Sequence, residues 1–260
     1  MAYEHISVDR DGRILVVTIN RPERMNALHP PANAELDAVF NDFAADPDLW
    51  VAIITGAGER AFSAGNDLRW QAEGNAITVP PSGFGGLTSR WDLDKPVIAA
   101  VNGVAMGGGF EVALAADIIL ASDNATFALP EPKVGLAALA GGLHRLPRAI
   151  GVSRAMAMIL TARTVSAAEG KELGFVTEVV PAPDLLTRAK ALAAAMCELS
   201  PLSLRASKQA VLKGLEEPSL RAAYEGQGKY PAVGALFRSE DLREGPLAFA
   251  QKRKPEWKGR

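Results

Sequence analysis

Hydrophobic residues in the first half of the chain form short unbroken runs that alternate with a segment of helical spacing. Residues 14–20, 51–55, 97–101 and 117–121 are rich in Val, Ile and Ala, which predicts four buried strands. Residues 30–45 open with two prolines and place apolar side chains on one helical face, which predicts a helix. Strands that alternate with helices are typical of right-handed βαβ units, so the predicted fold class is α/β.

Two glycine-rich segments stand out against this pattern. Residues 107–109 are three consecutive glycines, and an apolar helix is predicted after them over residues 110–115. Residues 74–88 are rich in Gly, Pro and Ser, which predicts a mobile loop. We expect this loop to lie next to any site formed by residues 65–67, because binding residues are often carried on loops.

The second half of the chain is more helical. Residues 166–169 have the Ser-x-x-Glu spacing of a helix capping box, and residues 176–180 predict a short strand. From residue 183 onward, three helical stretches separated by prolines and a last stretch over residues 246–252 predict an appendage of packed helices. The separating prolines are Pro201, Pro218 and Pro231.

Composition excludes several classes of protein. The 260 residues are 48% hydrophobic and carry 28 basic and 30 acidic side chains, for a net charge of −2, so a large core forms and a nucleic-acid partner is not expected. Cys197 is the single cysteine, which excludes an internal disulfide, and His5, His29 and His144 lack metal-ligand spacing. No apolar run reaches membrane-spanning length and residues 1–12 do not resemble a signal peptide, which predicts a cytoplasmic protein without a membrane partner.

Two short motifs near the second strand point to other chemistries. Residues 56–61 match the dinucleotide fingerprint G-x-G-x-x-A, but residues 62–65 do not continue a helix and no acidic residue ends a later strand at the usual distance. The sequence around Ser63 is similar to the G-x-S-x-G elbow of hydrolases, in which the serine lies at the turn from a strand to a helix. Here the predicted strand ends eight positions before Ser63, and only His144 follows to serve as a base. Both motifs favour a simple turn over an NAD enzyme or a hydrolase.

The glycines at 107–109 and two glutamates are the stronger chemical candidates. Glycines before a helix expose backbone N–H groups, which suit a developing oxyanion. Glu111 lies in the first turn of that helix, where it serves either catalysis or stabilisation of the helix dipole. Glu131 stands between Pro130 and Pro132, where it is either a surface loop residue or a partly buried acid with a raised pKa. The residues alone leave these alternatives open.

Taken together, the motifs form a known series of blocks. ITGAGERAFSAGNDL at 54–68, KPVIAAVNGVAMGGGFE at 95–111 and FALPEPKVG at 127–135 resemble the three blocks of the enoyl-CoA hydratase/isomerase (crotonase) superfamily, in order and spacing. RPERMNAL at 21–28 fits its N-terminal block, and the resemblance runs from about residue 14 to the C-terminus. The ending, with GPLAFAQKRK at 245–254, resembles the carnitinyl-CoA dehydratase branch.

This resemblance implies a fold and a catalytic centre. The fold would be a crotonase-like spiral of ββα turns over residues 1–200, followed by a helical trimerisation region over residues 201–260. The thioester oxygen of an acyl-CoA would sit in a hole made by the backbone N–H groups of Asn66 and Gly108. Glu111 would orient and activate water, and Glu131 would exchange a proton at C2. The chain departs from many hydratases at residues 138–142, where it reads ALAGG.

The resemblance also implies substrate contacts and an assembly. Arg24 and a neighbouring subunit's Lys252 would bind the CoA phosphates in a homotrimer or a dimer of trimers. No metal and no cofactor is implied, since coenzyme A enters as part of the substrate. The remaining substrate-binding positions implied by the blocks are Ala27, Leu28, Ala64, Gly65, Asp67, Leu68, Gly107, Pro130 and Gly135.

The predicted activity is enoyl-CoA hydratase, the reversible addition of water across the 2,3 double bond of an enoyl-CoA. One alternative is a carnitinyl-CoA dehydratase, whose trimethylammonium substrate would favour an aromatic or acidic pocket. Trp70, Phe84 and Trp91 either line such a pocket or pack in the core and loops. An enoyl-CoA isomerase needs only one base, and a silent acyl-CoA-binding scaffold needs neither glutamate. The presence of both glutamates favours hydration.

Overall fold

The computed structural model describes residues 3–76 and 78–260 and contains two β-sheets flanked by helices. The strands of the larger sheet lie in the order β1-β2-β3-β5-β7-β10, and those of the smaller sheet in the order β4-β6-β8-β9. The strands are β1 (Ile6–Asp11), β2 (Ile14–Ile19), β3 (Val51–Gly56), β4 (Ala61–Ser63), β5 (Val97–Val101), β6 (Val104–Met106), β7 (Ile118–Ser122), β8 (Thr126–Ala128), β9 (Val165–Ser166) and β10 (Glu178–Val180).

The two sheets are built by one repeated turn of chain. Strands β3, β5 and β7 of the larger sheet run parallel, and each is followed within a few residues by a strand of the smaller sheet, namely β4, β6 and β8. Strands β4, β6 and β8 are parallel too, so each turn of chain adds one strand to both sheets before a helix returns. This is the predicted ββα spiral, and the predicted α/β fold class is confirmed.

The helices cover both faces of the larger sheet and form the C-terminal part of the chain. None of them, within the described residues, has the length and apolar character that crossing a membrane requires. They are α1 (Pro30–Ala45), α2 (Leu68–Ala72), α3 (Gly108–Ala115), α4 (Gly142–Ile150), α5 (Val152–Thr161), α6 (Ala167–Leu173), α7 (Leu185–Cys197), α8 (Pro201–Gly214), α9 (Leu220–Gly226), α10 (Pro231–Arg238) and α11 (Asp241–Ala250).

Alternate side chains of the central strands enter two separate cores. In β3, Ile53 packs in a core with Ala189 and Ala193 of α7, whereas Ile54 packs in the main core with Phe40 of α1. Both residues are fully buried. A parallel strand covered on both faces reads as an unbroken apolar run, which is why the strand signal in the sequence was strong.

The structure corrects the sequence prediction at several elements. The polar segment before residue 12 forms β1, whose side chains after Ile6 are exposed, so it carries no apolar run that would predict a strand. The helix predicted from residue 110 begins at Gly108. The strand predicted over residues 176–180 is limited to β10. The Ser166 hydroxyl accepts the Glu169 N–H at 3.2 Å, which confirms the N-cap half of the predicted capping box, while the Glu169 carboxylate accepts from Arg163 at 2.6 Å.

The prolines predicted to separate the C-terminal helices lie between those helices or at their first residues. Pro201 and Pro231 are the first residues of α8 and α10, a position where proline's missing N–H costs nothing. Pro246 does not start the last helix but lies inside α11. Residues 201–250 therefore contain four α-helices.

The loop predicted over residues 74–88 is not loose along its whole length. Residues 82–88 are buried, and Gly83, Gly85 and Gly86 adopt left-handed backbone angles within this segment. A Cβ atom at Gly86 would lie 2.6 Å from the Leu36 backbone, so glycine here permits close packing against α1. Ile77, which falls in the predicted loop, lies outside the described residues.

Candidate active site

The first backbone donor of the candidate site is the N–H of Asn66, whose orientation is fixed by a short parallel bridge between Leu28 and Asn66. The Leu28 N–H donates to the Gly65 carbonyl at 2.7 Å, and the Asp67 N–H donates to the Leu28 carbonyl at 3.0 Å. The bridge therefore uses backbone groups on either side of Asn66, and the N–H of Asn66 itself points away from Leu28. The Asn66 side-chain amide donates to Gln71 at 3.1 Å and is engaged with α2.

The second backbone donor belongs to the first residue of α3. Gly108 opens this helix, so its N–H has no acceptor within the helix and lies at the positive end of the helix dipole. A Cβ atom on Gly65 would lie only 2.9 Å from the Gly108 nitrogen. Gly65 also has a φ of +89°. Glycine is therefore required both by the close approach to Gly108 and by the backbone angle. The chain next to Asn66 is thereby brought against the start of α3.

Glu111 is a buried carboxyl group on α3, one turn after this donor. It is 3% exposed, and its Oε1 accepts the Gly142 N–H at 2.8 Å. Burial raises the pKa of Glu111 to about 7, and the charge of Glu131 adds to that rise. Backbone N–H groups of Gly142 and Ala140 and the Arg145 guanidinium act in the opposite direction. A carboxyl group that titrates near neutral pH is suited to exchange protons.

The raised pKa of Glu111 predicts that the active site lowers the stability of the fold. The folded protein holds the Glu111 proton up to about pH 7, whereas the unfolded chain releases it near the ordinary glutamate pKa of 4.5, so stability falls as the pH rises through this window. We expect Glu111→Gln to be more stable than the original chain at pH 8, by up to roughly 3 kcal/mol. The two proteins should have similar stabilities at pH 4.5. Equal urea midpoints at pH 8 would contradict the burial of an ionised carboxylate here.

Glu131 presents an unsatisfied carboxyl oxygen to the same region. It starts a 3-10 turn, Glu131–Val134, that follows β8. Glu131 is half-buried, which agrees with the prediction of a partly buried acid and not with that of a surface loop residue. Its Oε2 is buried and finds no hydrogen-bond donor among the described residues. Burial raises the pKa of Glu131. A buried oxygen without a partner is costly, and its retention indicates a functional role.

The two carboxyl groups converge on the start of α3. A Cβ atom on Gly107 would lie 2.8 Å from Oε1 of Glu131, and one on Gly142 would lie 3.0 Å from Cγ of Glu111. The negative charge of Glu131 also raises the pKa of Glu111. Within the described residues, the site thus combines two backbone donors that have no acceptor with one buried and one half-buried acid, and these groups can transfer protons beside a developing oxyanion.

Phe84 forms a wall of the same space. A Cβ atom on Gly108 would lie 2.5 Å from Cε1 of the Phe84 ring, which is 7% exposed. The other two aromatic candidates point elsewhere. Trp91 is 73% exposed and lies under the Arg145 guanidinium at 5.1 Å, and Trp70 packs edge-on against His29 at 4.9 Å.

Arg145 is a site residue that the sequence analysis missed. It lies on α4, and its Nη2 donates to the Thr88 carbonyl at 2.9 Å, which ties the Phe84 segment to the helix that begins at Gly142. Its charge lowers the pKa of Glu111, while burial lowers its own pKa. The sequence gives no signal for this role, because an arginine on an amphipathic helix usually faces solvent.

The remaining predicted substrate-binding residues lie in different surroundings. Ala27 and Leu28 are buried beside the Asn66 bridge, and Ala64 donates its N–H to the Met25 carbonyl at 2.9 Å. The Asp67 carboxylate is buried against Arg21 and caps α2, so it faces into the protein. The other members are at the protein surface or half-buried: Leu68 opens α2, Pro130 precedes Glu131, Gly135 ends the 3-10 turn, Arg24 ends the 3-10 turn Pro22–Arg24, and Lys252 follows α11.

Metal binding has no candidate site in the described part of the chain. Over residues 3–76 and 78–260, no three His, Cys, Asp or Glu side chains come close enough together to hold an ion. The groups that face the space beside Gly108 are backbone donors, carboxyl groups and an aromatic ring.

Comparison with known proteins places the chain in a family. The family model for enoyl-CoA hydratase/isomerase matches residues 9–260. The carnitinyl-CoA dehydratase of Escherichia coli (strain K12) is 46% identical over 260 residues, with 99% of each chain covered. The chain belongs to the enoyl-CoA hydratase/isomerase family, and the resemblance identified from its sequence blocks is confirmed.

Solved structures agree with the crotonase-like fold. The crystal structure of an enoyl-CoA hydratase from Mycobacterium tuberculosis H37Rv matches with a TM-score of 0.92 and 38% identity, over 98% of this chain and 99% of that chain. A carnitinyl-CoA hydratase from Mycobacterium avium matches with a TM-score of 0.78 and 37% identity, also over 98% and 99%. The chain is thus similar to proteins of both names.

Proposed function

We propose that this protein catalyses the reversible addition of water to the 2,3 double bond of an enoyl-CoA thioester. The observation that carries the proposal is a pair of carboxyl groups, buried Glu111 and half-buried Glu131, beside the backbone donors of Asn66 and Gly108. An acyl-CoA-binding scaffold would have no need of two acids with raised pKa values. An isomerase would need one base, and here two are present.

The backbone donors polarise the thioester in this mechanism. As water adds at C3, negative charge develops on the thioester oxygen in an enolate-like state. The N–H groups of Asn66 and Gly108 receive that charge, and one such donor contributes about 3 to 4 kcal/mol to transition-state stabilisation. The dipole of α3 acts in the same direction, because its N-terminus is at Gly108.

The two acids complete the proton balance. Oε1 of Glu111 is held by the Gly142 N–H, which fixes the carboxylate so that its other oxygen can orient the attacking water. The cycle starts with Glu111 ionised and Glu131 protonated. As the oxygen of water bonds to C3, Glu111 takes one proton of that water and Glu131 gives its proton to C2. The proton on Glu111 then passes back to Glu131 through solvent. Both acids return to their starting state after one addition and product release. The raised pKa values make this exchange possible near neutral pH.

A hydration assay tests the proposal directly. Crotonyl-CoA loses its conjugated near-ultraviolet absorbance when water adds across the double bond, so turnover is followed optically. We expect hydration with 3-hydroxybutyryl-CoA as the product. Binding of crotonyl-CoA without turnover would support a scaffold, and migration of the double bond of 3-enoyl-CoA without hydration would support an isomerase.

Carnitinyl-CoA is a second candidate substrate. The carnitinyl-CoA dehydratase of E. coli is 46% identical over the whole chain. Phe84 places an aromatic ring beside Gly108, and the site contains two carboxyl groups. The ring and the carboxyl groups each favour a trimethylammonium group near C3. The chemistry at C2 and C3 is the same as for crotonyl-CoA, so only the acyl group differs.

Replacement of Phe84 distinguishes the two substrates. If a trimethylammonium group contacts this ring, Phe84→Leu should lower kcat/KM for carnitinyl-CoA at least about 5-fold more than for 3-hydroxybutyryl-CoA, because a cation–π contact contributes about 1 kcal/mol or more. Trp91→Leu is the matched control, since Trp91 is largely exposed. Dehydration rates of both substrates by both variants are measured. A larger effect of Trp91→Leu would mean that Phe84 does not line the acyl pocket.

We also propose that the chain assembles as a homotrimer or a dimer of trimers. The proposal is supported by a set of large apolar side chains that are exposed in the chain after Pro201. In this assembly, Arg24 of one subunit and Lys252 of a neighbouring subunit would bind the CoA phosphates. A trimer or a hexamer in light scattering at micromolar concentration is expected, and a monomer would contradict the assembly. The exposed side chains are Val211, Leu212, Leu215, Leu220, Tyr224, Phe237, Leu242, Leu247 and Phe249.

A further inference from the structure

A buried ion pair lies beside the backbone donors and takes no part in the proposed chemistry. Nη2 of Arg21 is 3.0 Å from Oδ2 of Asp67, and the two side chains are only 11% and 8% exposed. Arg21 follows β2 by two residues, whereas Asp67 is the N-cap of α2. The pair therefore joins two segments that are 46 residues apart in the chain.

The pair brackets the bridge that carries Asn66. The other terminal nitrogen of Arg21 donates to the Ala27 carbonyl, immediately before Leu28. Asp67, immediately after Asn66, receives the Arg21 guanidinium on one oxygen and the Trp70 N–H on the other, at 3.2 Å. One guanidinium thus holds the residue before Leu28 and the residue after Asn66 at once.

The segment that Arg21 holds is strained. Met25 and Asn26 both have a φ of +53°, in the left-handed region that non-glycine residues seldom adopt. The Asn26 side chain donates to the Ala61 carbonyl at 2.7 Å and supports one end of this turn. The Arg21 guanidinium supports the other end at Ala27. A strained turn keeps its shape only while its surroundings fix it.

The electrostatics of the pair are balanced, so its effect on the site comes through position. Burial raises the pKa of Asp67, but hydrogen bonds from the Trp70 N–H and from Arg21 and the charges of Arg21 and Arg24 outweigh it, and the net pKa is lowered. Burial and the Arg21 charge lower the pKa of the neighbouring His29 to about 4, so His29 is neutral. The ion pair therefore adds little net charge near the reacting atoms.

We infer that the Arg21–Asp67 ion pair is a positioning device for the oxyanion hole, which keeps the Asn66 N–H aimed at the thioester oxygen. The inference rests on the proposed function for the role of that N–H. Displacement of a catalytic group by about 1 Å can lower the rate on the order of 100-fold. An ion pair that fixes the Leu28–Asn66 bridge can therefore affect kcat although it touches no substrate.

The test compares Arg21→Met with a matched variant of a distant ion pair. Arg205 and Asp94 form an arginine–carboxylate pair at 2.8 Å, with side chains 33% and 16% exposed, that anchors α8, and Arg205→Met removes it. The readouts are kcat and KM for crotonyl-CoA hydration and the carbonyl stretching frequency of bound butyryl-CoA labelled with ¹³C at the thioester. Circular dichroism and urea unfolding monitor the fold of each variant.

Arg21→Met should lower kcat by about 10-fold or more while KM changes less than about 3-fold. The carbonyl band, shifted to lower frequency by the two donors in the original chain, should return most of the way to its frequency in free butyryl-CoA. Arg205→Met should lose stability and keep both kcat and the shifted band. A loss of stability in Arg21→Met with an unchanged band would overturn the inference, because the pair would then be purely structural.

Two milder variants keep the test decisive if Arg21→Met does not fold. Arg21→Lys retains the charge but cannot reach both partners, and Asp67→Asn retains an acceptor for the Trp70 N–H. We expect a band shift in each that is smaller than the shift in the original chain, and bands at the same frequency as in the original chain would count against the pair. The infrared measurement needs only binding. A chain that binds butyryl-CoA with a shifted band but does not hydrate crotonyl-CoA would refute the proposed function and leave this inference standing, whereas an unshifted band in the original chain would refute the inference itself.

Discussion

Replacing either Glu111 or Glu131 with glutamine should lower kcat for crotonyl-CoA hydration at least about 100-fold, the usual scale of acid–base catalysis. Glutamine keeps the size of the side chain and can still accept the Gly142 N–H that now bonds to Glu111. It cannot exchange a proton. Glu131→Gln changes still less of the structure, since its Oε2 has no donor to lose among the described residues. Initial rates and circular dichroism of both variants provide the measurement.

A glutamate in the first turn of another helix provides the control. Glu169 lies in the first turn of α6, as Glu111 does in α3, but it pairs with Arg163 at the surface. If Glu111 served only to stabilise its helix dipole, Glu111→Gln and Glu169→Gln would behave alike, with a small loss of stability and full activity. We expect Glu169→Gln to be fully active. Near-normal turnover by Glu111→Gln or Glu131→Gln would contradict the assignment of that residue.

The two acids should also differ in a partial reaction. If Glu131 exchanges the proton at C2, Glu131→Gln should lose exchange of the C2 protons of a saturated acyl-CoA in heavy water. Glu111→Gln should retain more of this exchange, because Glu111 is assigned to water and its Oε1 is held by Gly142. Retention of the exchange by Glu131→Gln and its loss in Glu111→Gln would reverse the two roles.

The central strands and α1 were predictable because burial dictates their composition. Strands β2, β3, β5 and β7 are covered on both sides and are therefore apolar at nearly every position, with Thr18, Thr55 and Ser122 as exceptions. Strands β4, β6 and β8 have only three residues each, too few for a periodic pattern, and β1 is exposed after its first residue. The smaller sheet was therefore accessible only through the family resemblance and not through the hydrophobic pattern.

The candidate site was predictable to the extent that it depends on residue type. Three glycines before a helix and a glutamate between prolines are unusual enough to mark a backbone donor and an acid. Arg21 and Arg145 carry no such mark, because an arginine usually faces solvent and only tertiary contacts show that these two reach the Ala27 and Thr88 carbonyls. The segment around Phe84 was taken for a mobile loop because its glycines break secondary structure, whereas in the fold they allow it to pack against α1.

Adding a branched side chain at Gly108 should abolish turnover, whereas truncating Asn66 should preserve most of it. A Cβ atom at Gly108 would lie 2.5 Å from the Phe84 ring, and the thioester oxygen must approach the adjacent N–H to about 3 Å, so Gly108→Val obstructs both the pocket and the donor. Asn66→Ala keeps its N–H and loses only the side-chain bond to Gln71.

A second glycine beneath a phenyl ring separates this effect from simple overpacking. A Cβ atom at Gly170 of α6 would lie 2.7 Å from Cζ of Phe175 in the core, and its nearest neighbours, Phe175 and Val176, carry none of the donors or carboxyl groups of the site. Gly170→Val should therefore lose stability by an amount similar to Gly108→Val, of order 1 to 3 kcal/mol, but its folded fraction should remain active. The decisive measurement is kcat/KM on crotonyl-CoA for the three variants, with the folded fraction taken from circular dichroism. An active Gly108→Val together with an inactive Asn66→Ala would mean that the Asn66 amide side chain, and not the two backbone N–H groups, polarises the thioester.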